Sequence, residues 1–151
     1  DIVKYNEVGG ENASTTGNVY GIYDMSGGAW EYVAGYLNEV TPPLTNYTTI
    51  YNADSKYKDV YSGTSNDRNA NYNANANKYG DAVYETSSSG DSITGSWDSS
   101  YSYFPSSSFP VFVRGGRAND GSHAGVFAFS YTSGSAGTDH SFRPVVLSSQ
   151  P

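Results

Sequence analysis

Fifteen tyrosines in 151 residues set the terms on which this chain can fold. Tyrosine buries a ring and keeps its hydroxyl hydrogen-bonded, so a core can be built from rings where aliphatic side chains are scarce. They are scarce here: hydrophobic residues make up 36% and charged residues 15%. Ser, Thr, Asn and 17 Gly fill much of the rest. A helical bundle needs far more Leu, Ala, Glu and Lys than this. Wholesale disorder is equally disfavoured, because aromatics reach 15% and charge is sparse. The length suits one domain, with no chain left for a second ordinary core.

Charge and chemistry narrow the function classes. Eight Lys and Arg against fifteen Asp and Glu give a net charge of −7. Scattered cations on an acidic chain do not make a nucleic-acid surface, and they disfavour anionic membrane. No apolar run approaches the length of a membrane span. Cysteine is absent, which removes disulfides, thiolate nucleophiles and Cys-based zinc sites together. Only His123 and His140 are available as imidazole ligands. The expectation is therefore no catalytic residue, no metal and no cofactor. A Cys-free, acidic, Ser/Thr/Asn/Tyr-rich composition points to the extracellular surface of a bacterium or phage. The chain starts at Asp1 rather than Met and is read as the C-terminal part of a longer protein.

Along the chain, residues 19–36 read as two short strands around a Ser26-Gly27-Gly28 turn, since four glycines there penalise a helix. Residues 37–63 read as two or three short segments around Pro42-Pro43. Residues 64–81 are Asn-rich and read as a long surface loop, with a short polar helix through Asn69–Tyr79 as the alternative. Residues 85–102 read as another Ser/Gly/Asp loop, interrupted by Trp97. Three strands close the sequence: residues 109–116, where Val111 to Val113 end in a Gly-Gly turn, residues 124–131, and residues 142–147. Trp30 and Tyr23 are expected to anchor the core, with Trp30 and Phe142 in the same cluster. Phe127 and Phe129 are read as core. Asp24 and Glu31 are read as structural carboxylates paired with Arg114 and Arg143, rather than as a catalytic pair.

Three of these segments together carry a resemblance. Gly21–Tyr32 (GIYDMSGGAWEY), Phe112–Gly116 (FVRGG) and Ser141–Leu147 (SFRPVVL) occur in an order and spacing similar to the formylglycine-generating-enzyme-like branch of the C-type-lectin fold. Gly28-Ala29 and Arg117-Ala118 depart from that branch's usual residues. The resemblance implies an α+β, C-type-lectin-like domain over residues 1–151, rich in strands and loops with few short helices. The enzymes of that branch depend on a pair of cysteines, so their activity does not carry over to this chain.

The fold also hosts the ligand-binding variable proteins of diversity-generating retroelements, which this chain resembles. Their hypervariable segment precedes the last strand and arises from adenine-directed errors. Such errors at an AAC codon do not reach Lys, Glu, Gln, Met or Trp, and none of the five occurs from Arg117 to His140. The resemblance implies a binding segment over 117–140. Its candidate positions are Arg117, Asn119, Asp120, Ser122, His123, Ser130, Tyr131, Ser133, Ser135, Thr138, Asp139 and His140. Small polar and aromatic side chains on a rigid backbone supply adaptable contacts at low entropy cost. The expected partner is a protein or glycan on another surface, with no nucleic acid, no membrane insertion and scope for self-association. Two rivals remain: a pilin-like filament subunit with the same fold, and a degenerate enzyme of the formylglycine-generating type.

Weaker readings stand beside these. His140 with Asp139 and a serine supplies triad residue types, but neighbours on a strand point to opposite faces. Asn66, Asp67, Asn69 and Asn71 offer oxygens for calcium without the spacing of a defined loop. Asn12-Ala13-Ser14 and Asn46-Tyr47-Thr48 match the glycosylation sequon, a frequent coincidence in such a composition.

Overall fold

The computed structural model describes residues 28–38 and 48–142. They form an α+β arrangement of one mixed sheet with a few short helices. Strand β1, Trp30–Leu37, organises it. Next come helix α1 (Thr48–Asn52), a 3₁₀ turn (Ser55–Tyr57) and β2 (Asp59–Tyr61). Helices α2 (Arg68–Ala74) and α3 (Val83–Thr86) precede the two-residue strands β3 (Asp91–Ser92) and β4 (Ser102–Tyr103). The long hairpin β5 (Val111–Gly115) and β6 (Gly125–Thr132) follows, and then β7 (His140–Ser141).

The strand order is β2-β1-β5-β6-β4-β3, with β7 also on β1. Glu31 pairs with both Arg114 of β5 and Ser141 of β7, so those strands lie on opposite edges of β1. Tyr36 likewise pairs with Val111 of β5 and Val60 of β2. The edge away from β5 thus carries β7 at its start and β2 at its end, both parallel to β1.

Period-two alternation sorts the core onto two faces. Leu37, Phe112 and Phe129 pack on one face with Tyr61, Tyr72, Val83 and Phe104. Trp30, Val113 and Ala128 pack on the other, with Tyr32 and Tyr101 against them. The first face is a lattice of rings. Phe104 meets Tyr61, Tyr72 and Phe112 edge to face at 5.3, 5.8 and 5.1 Å between centroids. Those are the separations at which aromatic pairs attract beyond their area. Tyrosine rings enter because their hydroxyls stay paired: Tyr72 donates to the Ser87 carbonyl at 3.0 Å, and Tyr61 donates to Asp81.

Several expectations change. The strands at 109–116 and 124–131 are present, as is a strand from Trp30. Trp30 is 7% exposed, as a core anchor should be, but Phe142 is 74% exposed and shares no core with it. The partner strand before Gly28 and residues 143–147 lie outside the described residues, as do Tyr23, Asp24, Pro42, Pro43, Arg143 and the asparagines of both sequons. Residues 64–81 are not one loop: helix α2 runs through Arg68–Ala74, close to the polar alternative, and buries Asn71 and Tyr72. Asp67 caps it by accepting from Ala70 N–H at 3.1 Å. Residues 85–102 contain the end of α3, β3 and a 3₁₀ turn, with β4 beginning at Ser102. Phe127 is half-buried rather than core, lying edge-on to exposed Trp97 at 5.2 Å.

Three substitutions test this packing. Trp30→Ala should cost about 3–5 kcal/mol in urea unfolding, as a large-to-small core change, whereas Phe142→Ala should move it by less than about 0.5 kcal/mol. Asn71 accepts from Ser65 N–H and donates to the Ser65 and Pro105 carbonyls at 2.8 and 3.0 Å. Asn71→Ala strands those buried groups and should cost about 1–3 kcal/mol.

Candidate functional site

The hairpin turn after β5 sets the site. Gly115 and Gly116 have φ of 91° and 77°, a region that favours glycine. A Cβ on Gly116 would meet the Ala124 Cβ at 2.5 Å, so the close approach also requires glycine. The chain then enters the 3₁₀ turn Ala118–His123. Asp120 closes that turn by accepting from Arg117 N–H at 2.9 Å, and its carboxylate takes Arg117 Nε at 3.2 Å. Arg117 reaches on to donate to Asp139 from Nη1. Asp139 in turn accepts from His140 Nδ1 at 2.9 Å, and its carbonyl accepts from Trp30 N–H at 2.9 Å. One chain of charge-assisted bonds therefore ties the β5–β6 connection to the start of β7 and of β1.

This network floors a groove of about 270 Å³. Arg117, Asp120, Ser130, Tyr131, Asp139 and His140 line it, and all six are candidates read from the sequence. Trp30, Tyr101, Tyr103 and Val113 complete the wall. Tyr101 and Tyr103 stack at 5.3 Å with 29° between planes. Tyr131 continues the row at 6.3 Å from Tyr103, and His123 extends it at 5.4 Å from Tyr101. Arg68 of α2 holds the far end: its guanidinium lies 4.9 Å from the Tyr131 ring, donates to the Tyr131 hydroxyl at 3.0 Å and pairs with Asp91 at 2.8 Å.

The other candidates sit around that groove. Asn119, Ser122 and Thr138 are exposed. Ser133 donates to Ser135 at 3.1 Å, and the Ser135 carbonyl accepts from Tyr32 at 2.6 Å, which pins the β6–β7 connection to β1. His123 donates from Nδ1 to the Ser99 carbonyl at 3.1 Å. Segment 117–140 is thus not one continuous exposed face. Ala128, Phe129 and Thr132 are buried in the sheet, and the Asp120 side chain is only 7% exposed. The exposed part is two connections flanking a groove.

The structure adds to the readings of single residues. Asp139 and His140 do touch, because Asp139 lies in the turn before β7, where alternation does not yet hold. Arg114 donates to the Asp81 carbonyl at 2.9 Å and has Glu31 as its neighbour across the ladder, while Asp24 and Arg143, expected in the same pairing, lie outside the described residues. The oxygens considered for calcium bond to protein. Asn66 accepts from Ser107 and Ser108, Asp67 caps α2, Asn69 accepts from Ser89 and Gly90, and Asn71 serves Ser65. Among the described residues no group of three or more His, Asp or Glu is placed to hold a metal. Tyr101 and Tyr103 were missed in the sequence; their only signal is the alternation Tyr101-Ser102-Tyr103-Phe104, too short to separate from a loop.

Comparison with known proteins finds no family model, no curated protein and no solved structure that matches this chain.

The hydrogen bond from Arg117 holds the Asp139 carboxyl below the usual carboxylate range, and the same carboxylates hold Arg117 charged. A depressed carboxyl pKa stabilises the fold above the unfolded value of about 3.9, and this stabilisation is lost as pH falls through the folded value. Asp139→Asn should therefore lower urea stability at neutral pH, with the gap to wild type closing as the pH drops below about 4. A gap of constant size at all pH values would exclude the ion pair as its source.

Proposed function

We propose that the chain is a non-enzymatic ligand-binding domain that recognises a partner through the groove and the two connections of segment 117–140. The observation that carries this reading is the convergence of Arg117, Asp120, Ser130, Tyr131, Asp139 and His140 on one aromatic-walled groove. They come from three stretches of the segment, 117–120, 130–131 and 139–140, and the ion network ties the first to the third. Tyrosine rings supply contact area with few rotors, and the serines and charged groups supply direction. In this reading the scaffold is C-type-lectin-like, the segment is the variable region of a diversity-generating retroelement protein, and the domain works outside the cell. Strand β7 running parallel beside β1, with Trp30-Glu31-Tyr32 at the start of β1, is what supports the fold assignment.

The twelve candidate positions divide by role in this proposal. Arg117, Asp120 and Asp139 hold the platform. Asn119, Ser122, Ser133, Ser135 and Thr138 present exchangeable side chains at its rim. Ser130, Tyr131, His123 and His140 form the groove and its aromatic border.

A filament-subunit reading draws on a different observation, the exposure of Tyr57 and Tyr79 at 66% and 68%. Sedimentation at rising concentration separates the two. Self-assembly abolished by Tyr57→Ser and Tyr79→Ser favours the filament.

The direct test randomises each of the twelve positions and scores folding by protease resistance. Asn119, Ser122, Ser133, Ser135 and Thr138 should accept nearly every residue, since substitutions away from caps and cores move stability by less than about 0.5 kcal/mol. Arg117 and Asp120 should accept few. Sequencing the locus from many isolates then asks whether natural differences cluster at the tolerant codons. Differences spread evenly over the gene, or intolerance at the rim positions, would remove the binding-segment reading.

A further inference from the structure

The other face of the sheet holds a second and larger cavity, of about 330 Å³. Alternation along β5 puts Arg114 on the face of Phe112, opposite the groove. Its guanidinium lines this cavity with Lys58 and Lys56, while Val33, Val83 and Phe112 supply apolar wall. That size is at the low end of small-molecule sites, about 300–1,000 Å³.

The charge arrangement is specific. Burial lowers the Arg114 pKa, a sign of lost solvation, although a guanidinium stays charged. Among the described residues it makes one hydrogen bond, from Nη2 to the Asp81 carbonyl at 2.9 Å, and lies 5.8 Å from the Phe129 ring centre. Its other N–H donors have no acceptor among the described residues and, since no described buried side-chain nitrogen lacks a partner, they reach solvent. The Asp81 carboxylate is turned elsewhere: it accepts from Val83 N–H at 2.9 Å and from the Tyr61 hydroxyl. A guanidinium with open in-plane donors beside a cavity favours a planar anion. Asp59 and Asp81 also line the cavity, and their charge opposes a dianion more than a monoanion. The apolar wall asks for a hydrocarbon body on that anion.

The geometry points to a binding site for a small organic monocarboxylate, with the carboxylate on Arg114 and an apolar body against Val33, Val83 and Phe112. The Lys58 ammonium is turned away from the cavity: it donates to the Tyr51 carbonyl and lies 5.8 Å from the rings of Tyr36 and Tyr51. Lys56, which is exposed, adds charge at the rim. This site is separate from the groove and does not depend on its function.

Benzoate titrated into the intact protein, followed by amide and arginine Nε–H NMR signals, tests the assignment. Saturable shifts should appear at Val33, Ala34, Gly35, Asp81 and the Arg114 side chain, with a Kd of about 1 mM, within ligand-efficiency bounds for so small a probe. Benzamide, the neutral isostere, should give none at matched concentration, and inorganic phosphate should bind more weakly than benzoate. Arg114→Lys should weaken benzoate about tenfold, because lysine lacks the bidentate fork. Lys56→Glu, at the cavity rim, should weaken it about threefold with the fold intact. Should Arg114→Lys fail to fold, the Lys56→Glu titration and the wild-type Arg114 signal decide. Absence of saturation, equal binding of benzamide, tighter binding of phosphate, or benzoate affinity unchanged in Lys56→Glu would each overturn the site.

Discussion

Hydrogen bonding along both edges of β1 is the constraint on which the rest of this structure depends. β5 takes one edge, while β7 and β2 take the two ends of the other. A strand so placed cannot slip by one residue without turning both faces inside out, because side chains alternate with a strict period of two. Trp30 and Leu37 would exchange clusters. The two cores therefore fix the register, and the register fixes where the ends of β5, β6 and β7 meet. Arg117, Asp139 and His140 come together only because those ends do.

That dependence explains what could be read from the sequence and what could not. Strands β5 and β6 were legible because Val111-Phe112-Val113 is an apolar run leading into Gly115-Gly116 and the Phe127–Phe129 stretch is an apolar run following Gly125. Strands of two residues, such as β3, β4 and β7, have no period to detect. Their pairing is set by the neighbour already in place, Tyr103 opposite Asp91 and His140 opposite Trp30. Helix α2 was only half legible for the same reason. Seven residues rich in Asn form a helix poorly alone, and what holds them is tertiary: the Asp67 cap and Tyr72 packed into the ring lattice. Phe142 shows the opposite error. Hydrophobicity marks a residue that can be buried, and an exposed single apolar side chain is ordinary.

The candidate site was legible as a list of residue types but not as a shape. Resemblance placed a binding segment at 117–140, yet it could not separate Asp120, which is inside the turn, from Asn119, which is outside. The separation comes from the positive φ of Gly115 and Gly116, which reverses the chain so that Asp120 folds back onto Arg117. Nor could the sequence bring in Tyr101 and Tyr103, since they join β6 through one short parallel pairing, Ser102 with Phe129.

The asparagines close the argument that the tyrosines open. A chain with few aliphatics builds few long ladders, so many backbone groups lie outside helices and strands and need other partners. Side-chain amides supply them, because each carries a donor and an acceptor in one plane. Asn75 accepts from Ser62 N–H at 3.0 Å and donates to the Ser62 carbonyl at 2.7 Å, copying one rung of a β-ladder. Asn71 does the same for Ser65 and adds Pro105. Asn69 takes Gly90 N–H at 2.9 Å. These bonds stitch α2 to segments on either side of it, and α2 in turn carries Arg68 to the row of tyrosines at the groove. What composition alone suggests is a solvated Asn-rich loop is thus the support of the groove's far wall. Its polar side chains are spent on backbone, which leaves Arg68 as the residue that meets the rings.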